Sequence, residues 1–144
     1  MNACMEIALM EYGVKEIVGS EDNPRVVEYF SRAGHAWVKD DETAWCSAFA
    51  NWVVMEAGLK GSGKLDARSW LLVGEETTEP EIGDIVVFWR ESPKSWKGHV
   101  GFYVGHSQDG KHIYTLGGNQ TNMVCISAYG SDRLLGFRRL TKAA

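Results

Sequence analysis

A chain of 144 residues is long enough to build one domain around a real hydrophobic core, without help from disulfides or a metal. Hydrophobic residues at 44%, charged residues at 24% and a formal charge of −4 fit an ordinary globular protein and leave no basic face for a phosphate backbone, which excludes nucleic acid as a partner. Cys4, Cys46 and Cys125 are odd in number and lack CxxC spacing, so neither a disulfide framework nor a zinc knuckle is written here, and synthesis in a reducing compartment fits best.

The first residues carry two acids and no basic n-region, and do not read as a signal peptide; no stretch approaches the ~20 apolar residues of a membrane span. Met5, Ala8, Leu9 and Tyr12 recur at helical spacing and predict a first helix over residues 3–17, with Cys4 at its frayed start and Gly13 as its stop. Asn23-Pro24 starts a second helix running to about Ala33, and a polar loop follows to Thr43. From Cys46 the positions Phe49, Ala50, Val53, Val54 and Ala57 form one apolar stripe, closed by Gly58. Residues 66–72 read as a short helix. After Gly83 the period changes: Asp84 to Trp89 is an apolar run suited to a central strand covered on both sides. Strands follow over 98–105, 112–116, 123–127 and 135–140, with Gly117 to Asn122 as a loop or bulge. Helices first and antiparallel strands after predict an α+β domain with about five strands.

Cys46 opens the best-defined helix, where unpaired backbone N–H groups and a partial positive charge favour a thiolate. A buried cysteine is equally a small apolar filler. A thiol nucleophile needs a base, and four histidines compete. His35 lies in a polar loop, and His112 opens an edge-like strand. His106 falls on the face opposite His99 by alternation. His99 follows Gly98 and shares its face with Gly101, so close approach to it is open; a structural histidine remains the alternative. Asn119, after Gly117-Gly118, is suited to orient the imidazole, although Gly-Gly-Asn-Gln also reads as a plain turn. Asp84 is a rival, better explained as a local turn cap.

The order Cys46, the Gly83-Asp84-Ile85-Val86-Val87-Phe88 strand, Gly98-His99-Val100-Gly101 and a polar residue on the next strand resembles the CHAP and NlpC-type cysteine peptidases of the papain-like fold. The chain is also similar, over about residues 5–140, to a small phage and bacterial group carrying forms of Asn23-Pro24-Arg25, Trp45-Cys46-Ser47-Ala48-Phe49, Ala67-Arg68-Ser69-Trp70 and Gly117-Gly118-Asn119-Gln120. The resemblance implies a single domain over 1–144 that hydrolyses peptidoglycan amide or peptide bonds, with Cys46 as nucleophile, His99 as base and then acid, and Asn119 as orienting residue. Many CHAP domains carry a glutamate shortly before that asparagine, where this chain has Thr115, Leu116, Gly117 and Gly118. An oxyanion site would use the Cys46 N–H and a donor from the 41–45 stretch.

Some CHAP domains bind calcium, but Asp40-Asp41-Glu42 lacks the alternation of a calcium loop, so no metal and no cofactor are expected. Of Trp45, Trp70, Trp89 and Trp96, at least two belong to the core. The expected protein is a monomeric cysteine amidase or endopeptidase acting on peptidoglycan stem peptides as an endolysin, an antibacterial effector or a remodelling enzyme. It is made in the bacterial cytoplasm and delivered to the wall by a holin or secretion apparatus, with an immunity protein as a further partner. The alternatives are a cysteine protease with a protein substrate and an inactive cell-wall-binding module.

Overall fold

The computed structural model describes residues 2–15, 23–32, 34, 44–120 and 122–141. Three helices, α1 (Ala3–Met10), α2 (Pro24–Arg32) and α3 (Ala44–Glu56), precede six strands: β1 (Glu75–Thr77), β2 (Ile85–Trp89), β3 (Gly98–His106), β4 (His112–Gln120), β5 (Met123–Gly130) and β6 (Leu134–Arg139). A 3-10 turn over Ala67–Leu72 replaces the short helix expected there. The strands form one antiparallel sheet in the order β1-β6-β2-β3-β4-β5. This is the α+β, papain-like architecture with helices ahead of the sheet, and it holds one strand more than expected. β1 is short, charged and exposed, with Glu75 and Glu76 opposite Arg139 and Arg138, so no apolar alternation announces it.

The register explains the two cores. Val87 pairs with Val100 and Ile85 with Phe102, on the face that meets the helices, while Phe88 pairs with His99 on the other. Ile85, Val87, Val100, Phe102 and Leu116 pack with Phe49, Val53 and Val54 of α3 and with Met5 and Ala8 of α1. Val86, Phe88, Tyr103, Ile113 and Phe137 form a second cluster. The run Ile85-Val86-Val87-Phe88 is therefore buried throughout because both its faces are covered.

Two helices differ from their periodicities. α1 ends at Met10, three residues before the stop expected at Gly13, and the chain does not resume a helix toward residue 15 because the backbone there is taken by β5: the Gly13 N–H donates to Val124 O and the Val124 N–H to Val14 O, both at 2.8 Å. Cys4 is not frayed. Asn2 caps the helix by accepting from the Met5 N–H at 2.9 Å, and burial pushes the Cys4 thiol up to about 11, with the Asp84 charge adding to it. In α3 the expected stripe is instead burial on every side from Trp45 to Val54. Full burial of Phe49 or Val53 is worth roughly 1.5–3 kcal/mol each. The two polar residues caught in this segment are satisfied. Ser47 Oγ donates to Lys64 O at 2.6 Å and accepts from Trp70 Nε1 at 2.9 Å, and Asn51 accepts from the Gly63 N–H at 3.0 Å while its amide donates to Lys64 O at 3.2 Å.

Candidate active site

Cys46 is the third residue of α3, inside the first turn, where backbone N–H groups have no intrahelical acceptor. Its side chain is fully buried. The turn is held from behind by the Ser47–Trp70–Lys64 bonds, and in front it meets β4. A Cβ added at Gly118 would lie 2.8 Å from Phe49 Cβ and 2.9 Å from the Trp45 ring. The preceding glycine, Gly117, faces the other partner of the constellation: a Cβ there would lie 3.2 Å from His99 Nε2 and 2.8 Å from Gln120 Oε1. The start of α3 and the His99 imidazole thus close on one Gly-Gly step, where a side chain would have to push aside the Trp45 ring or the His99–Gln120 bond.

His99 is the second residue of β3 and is buried. Its ring stacks on Tyr129 of β5 with centroids 4.8 Å apart, and Tyr129 stacks in turn on Phe88 at 4.9 Å. The orienting hydrogen bond comes from Gln120: His99 Nε2 and Gln120 Oε1 are 2.9 Å apart. Gln120 Nε2 donates to Thr115 O at 3.1 Å and to Cys125 O, which commits its nitrogen and turns its oxygen toward the ring. An acceptor at that point makes His99 Nε2 the protonated nitrogen and leaves the lone pair on Nδ1, the form a base requires.

Asn119 was the residue expected in this role, and strict alternation after Thr115 and Gly117 does place position 119 on the His99 face. The β4–β5 register, however, slips between Gly117 and Gln120, and Asn119 takes a left-handed φ of +58°. The extra residue of this bulge inverts the alternation and presents Gln120 instead. Asn119 is half-buried beside it.

Burial lowers the His99 pKa to about 4, with the Arg90 charge acting in the same direction and the Gln120 bond opposing both. The imidazole is therefore neutral at pH 7. Burial also raises the Tyr129 phenol, with Cys46 the second contributor, so Tyr129 lies within electrostatic reach of the thiol and in contact with the imidazole. Neither Gln120 nor Tyr129 is singled out by sequence. Gln120 adjoins the expected residue, and a Gly-Gly pair is the one signal of a bulge there; Tyr129 carries no signal.

The other candidates separate cleanly. Asp84 accepts from the Glu81 N–H at 2.8 Å and pairs with Arg139 at 2.8 Å, the turn role expected of it. His106 Nδ1 lies 2.6 Å from the Tyr103 hydroxyl, and its ring lies 6.2 Å from Phe137. It therefore shares the His99 face, contrary to simple alternation, because the β3–β4 register slips between Tyr103 and Gly105. His112 is exposed. Trp45 and Trp70 are core, Trp89 lies under Arg133, and Trp96 is 59% exposed. His35, the Asp40-Asp41-Glu42 run and positions 41–43 of the oxyanion stretch lie outside the described residues. Among the described residues no three His, Cys, Asp or Glu side chains gather as metal ligands, and no helix is long and apolar enough to cross a membrane.

The family model of the CHAP domain matches residues 38–119, a span that includes Cys46, His99 and Asn119. Among solved structures, a Staphylococcus aureus protein described as similar to lipoprotein, of the NLP/P60 family, superposes with a TM-score of 0.53 at 20% identity. The match covers 95% of this chain and 40% of that one, so this chain spans well under half of its length. No curated protein matches the sequence.

Proposed function

The chain belongs to the CHAP domain family, one of cell-wall hydrolases and peptidases, and from that premise we propose that it cleaves an amide or peptide bond of bacterial peptidoglycan through the thiol of Cys46. The observation that carries the reading is the committed amide of Gln120, which holds His99 with its lone pair on Nδ1. In this reading His99 Nδ1 takes the Cys46 proton and the thiolate adds to the substrate carbonyl carbon. The imidazolium then protonates the leaving nitrogen as the C–N bond breaks, leaving a thioester. Water, deprotonated by the same Nδ1, attacks the thioester, and the carboxylate product leaves as the thiol is reprotonated. The Cys46 N–H in the first turn of α3 stabilises the developing oxyanion. Gln120 takes the orienting role expected of Asn119, and Asn119 serves the bulge.

The enzyme is proposed to work as a single-domain monomer without metal or cofactor, deployed as an endolysin or antibacterial effector through a holin or secretion apparatus. Purified sacculi carrying a covalent dye test this: the wild-type protein is expected to release dye, while Cys46→Ala and His99→Ala, folded by circular dichroism, release none. Release that persists in Cys46→Ala would overturn the thiol mechanism. Binding to sacculi without release by the wild type would identify an inactive wall-binding module.

A further inference from the structure

Arginine partners in this protein single out one residue. Of the seven arginines, Arg25, Arg32 and Arg139 pair with carboxylates, Arg68 and Arg138 donate to backbone carbonyls, and Arg133 lies over Trp89. The guanidinium of Arg90 has no such partner among the described residues. Its chain neighbour Glu91, the nearest carboxylate in sequence, has a φ of +66° and pairs with Lys97 at 2.9 Å. The Glu91–Lys97 pair neutralises itself and leaves Arg90 without a paired carboxylate among the described residues.

That charge sits beside the candidate nucleophile's base. The Arg90 N–H donates to Lys97 O at 3.3 Å, which carries the β2–β3 ladder one step past the Trp89–Gly98 pair. Alternation from Val86 and Phe88 gives Arg90 the same face, and Phe88 is the direct cross-strand partner of His99. Arg90 is half-buried, and its field reaches both members of the stacked pair, His99 and Tyr129. A guanidinium on a half-buried residue, with no counter-ion among the described residues, is a bidentate receptor for a planar anion, and the partner it fits best is a carboxylate.

We propose that Arg90 is the specificity determinant of the site, binding a free carboxylate of the substrate beside the amide that Cys46 attacks. The proposal rests on the peptidoglycan-hydrolase reading and deepens it: the substrate is an anionic stem peptide, and an amidated one is a poor substrate. The carboxylate has two sources, an acidic side chain or the peptide C-terminus.

Calorimetric titration of folded Cys46→Ala protein tests it without turnover, using three synthetic stem peptides: the free acid, the form amidated on its acidic side chain, and the form amidated at its C-terminus. One amidated form is expected to bind roughly tenfold to a hundredfold more weakly than the free acid, which identifies the carboxylate that Arg90 holds. Adding Arg90→Gln is expected to abolish that difference while binding of the amidated peptide is retained, and Arg90→Lys to restore part of it. Equal binding of all three peptides, no binding of any, or a preference that survives Arg90→Gln would overturn the proposal. Failure of the parent reading looks different: wild-type protein that releases no wall fragments, or Cys46→Ala protein that still does.

Discussion

Acidification from pH 7 to pH 4 should weaken the fold by about 3 kcal/mol through His99 alone. The imidazole titrates at about 4 in the folded protein and near 6.5 when free of it. Between these values the unfolded chain binds a proton that the folded chain refuses, so stability is fully present above pH 6.5 and is lost as pH falls toward 4. At 1.36 kcal/mol per pKa unit, the interval gives that figure. Its cause is physical: a cation here would be buried against Tyr129 and Phe88, in the field of Arg90, with one nitrogen already occupied by Gln120. Carboxylates titrate in the same range, so the assay is a difference. Urea unfolding of wild type and His99→Phe is followed at closely spaced pH values from 4 to 7. The Phe variant is less stable at pH 7, because Gln120 Oε1 loses its donor, yet its stability should fall by about 3 kcal/mol less on acidification. Parallel curves for the two proteins would refute the inference that His99 is held neutral by burial.

Two further expectations concern the shell around that ring. Gln120→Leu removes the His99 acceptor and strands two carbonyls, and kcat/KM on peptidoglycan fragments should fall at least about tenfold. Asn119→Gly, which keeps the left-handed φ, should retain most activity; the opposite ranking in fragment-release kinetics would return the orienting role to Asn119. Arg68 donates to Lys97 O, Pro93 O and Ser92 O at 2.8–3.0 Å, stapling the loop that leads into His99. Arg68→Ala should lower the melting temperature by about 2–8 °C, for a loss of about 1–2 kcal/mol, and expose Lys94 and Lys97 to trypsin; unchanged cleavage at these lysines would show that the loop holds itself.

Most of the architecture is legible in the sequence because it is written in apolar periodicity. The β2 run and the segment after Cys46 mark the two elements that carry the core, and the order of Cys46 and His99 along the chain is readable with them. What escapes is whatever depends on pairing between distant segments. β1 is set by its pairing with β6, and the Arg138 guanidinium that donates to Val73 O and Gly74 O just ahead of it arrives only with that strand. α1 does not resume toward residue 15 because β5 claims the backbone of Gly13 and Val14. The third site residue and the face of His106 both turn on register slips that invert alternation by one residue and exist only once the neighbouring strand is paired. Gln120 was one position away from view, yet the bond that marks it needs Thr115 and Cys125 already in place.

The paired glycines of β4 have a consequence in heredity. A Cβ at position 117 would have to displace the His99–Gln120 bond, and one at position 118 would meet Phe49 and the Trp45 ring of the Cys46 helix at under 3.0 Å. Every amino-acid replacement of glycine adds at least that carbon, so neither position has a mildest neighbour through which to drift. A related chain that carries a side chain at residue 117 or 118 must therefore hold the start of the cysteine helix or the histidine–glutamine bond further from this strand, so the pair records how tightly this particular site is closed.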